Sequence, residues 1–187
     1  MSAGTILTSS WTRAAALAAL ALGIESGRTL ASHVPGFETA SLLAGGLALC
    51  LLALGRHPAE LGLGRDRLAA RIIGGLALTA VLLLPAAVRW GGGPLLPPGL
   101  VVAAVAVSIG EEVAFRGVLF AALEEAGGPT LAVLGSTMCW TAAHVLAHPP
   151  AFLPAVAAAG LLLGLWRWAC RDLVAPVVGH VLADLAL

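Results

Sequence analysis

Lysine and tyrosine are missing from this chain, and charge of either sign is sparse. Of its 187 residues, 11% are charged and 59% are hydrophobic, whereas soluble domains carry roughly 25% charged residues. Too little polar surface would remain to cover so many apolar side chains in water, so the composition predicts an integral membrane protein of one compact domain. The ten arginines balance ten acidic residues, and this zero net charge argues against nucleic acid as a partner.

Cysteine is also scarce. Cys50, Cys139 and Cys170 form an odd number, and none of them belongs to a C-x-x-C pair. We therefore expect small apolar helix residues rather than metal ligands or a disulfide.

Long apolar runs predict an all-α, polytopic membrane helix bundle of about seven transmembrane helices, with six to eight as the range. A spanning helix needs about 20 mostly apolar residues, and the first run reaches this length only if Trp11 sits at a membrane interface. The predicted helices cover residues 12–24, 38–54, 72–88, 99–123, 130–147, 152–168 and 173–187.

Charged and helix-breaking residues predict the connections between these runs. Residues 25–37 contain Glu25 and Arg28 and are expected to form a loop. Residues 55–71 are the most charged segment, so they should lie outside the hydrocarbon. Glycine and proline in residues 89–98 then interrupt the apolar pattern.

The arginines predict an orientation. With seven spans and a cytoplasmic N-terminus, seven arginines fall on the inner side and two on the outer side, which follows the positive-inside rule. The inner set is Arg13, Arg56, Arg65, Arg67, Arg71, Arg167 and Arg171, and the outer set is Arg28 and Arg89.

Six ionisable residues fall inside the last four predicted helices, and they come from three different helices. Such groups are costly in lipid and mark function, so we expect them to converge on one site. Glu111, His144 and His180 should share one cavity there, within about 10 Å. The predicted spans, however, put Glu111 nearer the inner side and His144 nearer the outer side, which requires tilted or shifted helices. The six are Glu111, Glu112, Arg116, His144, His180 and Asp184.

The spacing of these residues suggests a different role for each of them. Glu112 and Arg116 are four residues apart and share a helix face, where they can pair. Glu111 is rotated by about 100° from Glu112, which leaves it available as a general base. Asp184 lies one turn after His180 and can fix the tautomer of its imidazole.

Three motifs in this order resemble a known family, the CPBP intramembrane glutamic endopeptidases. This family includes CAAX prenyl proteases of the Rce1 type and bacterial bacteriocin-processing and immunity proteins. The resemblance covers roughly residues 99–187, which would form the catalytic core, whereas residues 1–98 match only as generic spans and a cytoplasmic loop. The motifs are Glu111-Glu112-Val113-Ala114-Phe115-Arg116-Gly117, Trp140-Thr141-Ala142-Ala143-His144 and His180-Val181-Leu182-Ala183-Asp184.

The resemblance implies a metal-independent protease with no cofactor. Glu111 with His144 would activate a water for attack on a peptide carbonyl, and His180 with Asp184 would stabilise the oxyanion. The family often has asparagine where this chain has Asp184, and an ionised aspartate cannot donate a hydrogen bond to an oxyanion.

The remaining motif residues have supporting roles by the same resemblance. Glu112 and Arg116 would shape and charge-balance the site, and Phe115 and Trp140 would pack along the substrate cleft. Phenylalanine is usual at the position of Trp140. The implied substrate is a membrane protein or a lipidated peptide, and the implied location is the bacterial inner membrane. A prenylated C-terminus, a leader peptide and a C-terminal sorting signal would all use these same groups.

Two other functions stay open at this level. His144 and His148 are four residues apart on one face, so a zinc-dependent membrane protease is an alternative, and sensitivity to chelators would favour it. A non-catalytic bacteriocin-immunity or binding protein of the same fold is the other, and an active Glu111→Ala variant would favour it.

Overall fold

In the computed structural model, residues 3–64, 66–84 and 96–186 are described, and every regular element in these residues is helical, as predicted. Parts of the sequence prediction fall outside them, namely residues 85–95, Arg65 and Arg89. The elements are α1 (Ala3–Ser32), α2 (Glu38–Leu51), α3 (Leu68–Leu82), α4 (Pro98–Glu111), a π-helical segment (Glu112–Leu119), α5 (Phe120–Ala143), a 3₁₀ turn (Pro150–Phe152), α6 (Leu153–Cys170) and α7 (Val174–Ala186).

Apolar helices long enough to cross a bilayer make this an integral membrane protein. Within the described residues, three stretches meet the length and composition needed to cross, Ser10–Ser32, Pro98–Ala143 and Pro150–Cys170. Helices α2, α3 and α7 are apolar but shorter. The count of seven spans stays a prediction.

The distribution of polar side chains is inverted relative to a water-soluble protein. Leu54, Ile73 and Met138 are 75%, 66% and 71% exposed, whereas Glu112 and Arg116 are completely buried. Exposed apolar surface around a charged interior is what a lipid environment favours, because only the interior can supply polar partners.

The loop predicted at residues 25–37 is wrong for residues 25–32, because α1 continues to Ser32, and only residues 33–37 connect α1 to α2. Glu25 and Arg28 are three residues apart and face the same side of the helix, and Arg28 Nε donates to Glu25 Oε1 over 2.9 Å. This pairing lets both charged groups stay inside a helix. Arg28 is therefore a residue of the bundle interior and not an arginine of the outer loop.

The long stretch Pro98–Ala143 turns back on itself at two glycines. Gly127 and Gly128 have non-helical backbone angles, and the φ of 82° at Gly128 lies in the left-handed region that glycine adopts without strain. Pro129 follows and cannot donate a backbone hydrogen bond. The predicted break between the fourth and fifth helices is therefore present, and we call the two arms the helical hairpin.

The hairpin brings the first two motifs to one level. Trp140 donates to Glu111 across 29 residues of sequence, which a straight helix would separate by about 43 Å. Glu111 lies 16 residues before Gly127, and His144 lies 16 residues after Gly128. Both residues therefore lie equally far from the turn along their helices. The difference in depth that the predicted spans implied between Glu111 and His144 is absent.

A glycine contact between α2 and α4 fixes the end of α4. A Cβ atom on Gly46 would come within 2.5 Å of the carbonyl of Ala106, and one on Gly110 would lie 2.3 Å from Gly46 O. The two backbones therefore touch, as small residues in membrane helices allow. Glu111 directly follows Gly110, so this contact sets where its side chain begins.

A charged pocket of about 340 Å³ lies at the end of the bundle near the hairpin turn. Arg13, Arg56, Arg167 and Arg171 all line it, although they come from three separate parts of the chain. The sequence places these four arginines on the same side of the membrane, and their meeting at one pocket agrees with that topology.

Candidate active site

The motif residues meet where α1, α5 and α7 pack against the junction between α4 and the π-helical segment. Glu111 is the last residue of α4, and Glu112 is the first of the π-helical segment Glu112–Leu119. Short π-helical segments inside α-helices occur frequently at functional sites, because they shift side chains away from the regular α-helical spacing. The two acids therefore lie at a change of helix geometry.

Glu111 is 2% exposed, and each of its carboxylate oxygens has a hydrogen-bond donor. Trp140 Nε1 donates to Oε2 over 2.6 Å, and Arg28 Nη2 donates to Oε1 over 2.5 Å. An ionised carboxylate only accepts hydrogen bonds, so this surrounding suits the charged form.

His144 follows directly after α5 and faces Glu111. Its Nδ1 lies 2.8 Å from the carbonyl oxygen of Trp140. Because a carbonyl only accepts, Nδ1 carries the proton and Nε2 of the neutral ring presents a lone pair. The distance from Nε2 to Glu111 Oε2 is 3.7 Å, which is too long for a direct hydrogen bond but fits two acceptors of one water.

Glu112 joins the π-helical segment to α7. Its Oε1 accepts from Arg116 Nη1 over 2.9 Å, the pairing that the spacing predicts, and from His180 Nδ1 over 2.9 Å. The bond to His180 crosses between helices and has no signature in the sequence. Glu112 and Arg116 are fully buried, and His180 is 7% exposed.

Asp184 approaches the other nitrogen of His180. The distance from His180 Nε2 to Asp184 Oδ2 is 3.3 Å, and Ser108 Oγ lies 2.8 Å from the same oxygen. The two nitrogens of His180 thus face two different carboxylates, an arrangement in which a doubly protonated ring donates to both. Ser108 lies one turn before Glu111, and its contact with Asp184 was not predicted from the sequence.

The six ionisable residues of the motifs form a cluster, and Trp140 lies at its centre. Its ring packs edge-on against His144 at 4.6 Å and against His180 at 5.5 Å, and Arg116 Cζ lies 4.2 Å from its centroid. Phe115 is fully buried in the hydrophobic core that also contains Trp140. The indole therefore holds both histidines and the arginine in fixed relation to Glu111.

Sequence reasoning missed two members of the cluster, Glu25 and Arg28. Arg28 donates through Nε and Nη2 to both oxygens of Glu25, over 2.9 and 2.5 Å, and through Nη2 to Glu111. Glu25 is 1% exposed. An acid and an arginine three residues apart inside an apolar run were the available signal, because such a pair can stay helical within a membrane.

The geometry of the two neighbouring histidines bears on metal binding. The rings of His144 and His148 are stacked at 5.4 Å with only 9° between their planes, so their in-plane lone pairs do not converge on one ion. Burial, with a further contribution from His144, lowers the pKa of His148. Across the described ranges, no three His, Cys, Asp or Glu residues are grouped to hold a metal ion.

Comparison with known protein families identifies a relationship. The family model for type II CAAX prenyl endopeptidase Rce1-like proteins matches residues 93–186, just over half of the chain, and this range includes all three motifs. No curated protein and no solved structure matches the chain.

Proposed function

Since the chain belongs to the type II CAAX prenyl endopeptidase Rce1-like family, we propose that it is an intramembrane glutamic endopeptidase that cleaves a peptide bond without a metal. The observation that carries the proposal is the placement of Glu111 Oε2 at 3.7 Å from His144 Nε2, inside a buried cluster. A water that donates one proton to each of these atoms is poised to act as a nucleophile.

The proposed reaction begins with this water. Its oxygen bonds to the carbonyl carbon of the substrate while Glu111 accepts one of its protons. His144 orients the water through Nε2, since its Nδ1 proton is already donated to the carbonyl of Trp140. When the tetrahedral intermediate breaks its C–N bond, the protonated Glu111 returns the proton to the leaving amine.

His180 is the proposed donor to the oxyanion. A doubly protonated ring can share its Nε2–H, which lies 3.3 Å from Asp184, with the developing negative charge while Nδ1–H stays bonded to Glu112. Asp184 in this proposal orients His180 and does not itself donate. Arg116, which is paired with Glu112 and lies over Trp140, balances the charge of the buried acids.

The proposed substrate is a membrane-anchored protein or a lipidated peptide, because a site inside a helix bundle is reached most directly from the bilayer. The proposed location is the bacterial inner membrane with the N-terminus in the cytoplasm. The meeting of Arg13, Arg56, Arg167 and Arg171 at one end of the bundle supports this orientation.

Comparative membrane proteomics tests the proposal. Cells that carry the wild type would be compared with cells that carry Glu111→Gln, with Glu38→Gln as a control because Glu38 is an exposed acid in the first turn of α2. At least one membrane protein should accumulate uncleaved only with Glu111→Gln. Identical processing in all three strains would overturn the protease, and full cellular function of Glu111→Ala would instead support a non-catalytic binding role.

A further inference from the structure

The cluster contains one cation that the three motifs do not include, and that cation contacts the proposed base. Arg28 of α1 lies 83 residues before Glu111, and its Nη2 donates to Glu111 Oε1 over 2.5 Å. The same guanidinium holds both oxygens of Glu25. Arg28 and Glu25 lie outside residues 93–186, the range of the family match.

Because Arg28 is buried, its contact with Glu111 strongly affects the position of the Glu111 carboxylate. The side chains of Arg28 and Glu25 are only 10% and 1% exposed, so little water is available to replace a lost partner. Glu111 Oε2 is held by Trp140, and Oε1 is held by Arg28. Without Arg28, the carboxylate would keep one donor and could rotate about it.

The packing around Arg28 is also specific. Gly45 of α2 lies against its aliphatic stem, and a Cβ atom on Gly45 would come within 2.6 Å of both Cβ and Cδ of Arg28. Glu25 fixes the guanidinium from one side and Gly45 gives room to the stem. Two helices therefore determine where Nη2 points.

We propose that Arg28, braced by Glu25, is a positioning residue that holds Glu111 so that Oε2 faces His144 and the nucleophilic water. The inference rests on the proposed protease function. It assigns a role in the reaction to α1, so the catalytic unit extends beyond the three motifs. A planar guanidinium can bridge two carboxylates, whereas the ammonium of lysine is a point charge that cannot hold both in the same way.

The test uses purified full-length protein in proteoliposomes, with the substrate found by the Glu111→Gln comparison. Arg28→Gln should lower kcat by about 10- to 100-fold, as loss of an orienting partner does, with KM changed by less than about twofold because ground-state binding is untouched. Arg28→Lys should recover part of the lost kcat. Arg171→Gln is the matched control, since Arg171 pairs with Glu124 away from the cluster.

A second variant covers the case in which Arg28→Gln does not fold. Gly45→Ala keeps every charge but displaces the stem of Arg28, and it should also lower kcat without raising KM. Gly27→Ala is its control, because a Cβ atom there meets nothing within 4 Å. The folded fraction of each variant would be measured by thermal unfolding in detergent micelles.

The outcomes separate this inference from the function on which it rests. Cleavage that survives Glu111→Gln would remove the proposed protease altogether. Cleavage that is lost in Glu111→Gln but proceeds at the wild-type kcat in Arg28→Gln, or in Gly45→Ala where Arg28→Gln does not fold, would leave the protease standing and overturn the role of Arg28. A kcat that falls only in proportion to the folded fraction would also overturn it, because Arg28 would then be merely structural.

Discussion

Trp140 Nε1 and Glu111 Oε2 form a hydrogen bond of 2.6 Å across the two arms of the helical hairpin. The same oxygen faces His144 Nε2 at 3.7 Å. Because the backbone carbonyl of Trp140 also binds His144 Nδ1, one residue orients both the acid and the imidazole. The relative position of the proposed base and its partner therefore depends on Trp140.

Trp140→Phe should lower kcat by roughly tenfold. The phenyl ring can keep the packing against Arg116 and the histidines, but it lacks the N–H group, and a hydrogen bond to a charged group contributes about 1.5–3 kcal/mol. Peptide cleavage by the purified variant would measure the effect. An unchanged kcat would mean that Trp140 contributes only the packing of its ring, which a phenylalanine can also provide, and that its N–H group has no role in catalysis.

Asp184→Asn should retain cleavage within about fivefold, whereas Asp184→Ala should lose about 10- to 100-fold. The amide oxygen of asparagine can still accept from Ser108 Oγ and face His180 Nε2, the two contacts that Asp184 makes. Alanine offers neither. Measuring kcat for the two variants side by side checks this, and equal losses would show that the negative charge is what His180 requires.

Gly46→Ala should destabilise the protein by about 1–3 kcal/mol, because its Cβ would lie 2.5 Å from the backbone of Ala106 and force α2 away from α4. Gly27→Ala provides the comparison, since its Cβ has open space and alanine is favoured over glycine in a helix by about 0.5–1 kcal/mol. Thermal unfolding in micelles would show a large loss for the first and none for the second. Similar midpoints would contradict the close contact.

Cleavage should be unaffected by metal chelators. His144 Nδ1 is already bonded to the carbonyl of Trp140, and the stacked ring of His148 does not share a ligand direction with it. The assay would compare untreated enzyme with enzyme dialysed against EDTA and then supplied with zinc. Activity that vanishes on dialysis and returns with zinc would favour the zinc-dependent alternative.

The sequence was most informative where a residue interacts within its own helix. Glu112 and Arg116 pair one turn apart, and His180 meets Asp184 one turn apart, as their spacing predicts. Apolar run lengths likewise predicted an all-α membrane bundle. Contacts between different helices, such as the one between Glu112 and His180, could not be predicted. The spacing of residues within one helix does not determine which helix faces pack together.

The first helix shows why the prediction of a loop from the local sequence was wrong. Glu25 and Arg28 have a high cost in a membrane when each is considered alone, so a loop was the expected structure for residues 25–37. Their cost is offset only when the two pair with each other and with Glu111, which lies far along the chain. A charge inside an apolar run must therefore be judged together with its distant partners.

The hairpin turn at Gly127 and Gly128 has a consequence for how such chains can diverge in length. One residue inserted in either arm would shift one motif along its helix by about 1.5 Å and rotate it by about 100° relative to the other. Glu111 would then no longer face Trp140 and His144. Insertions and deletions between Glu111 and His144 should thus be tolerated only at the turn itself.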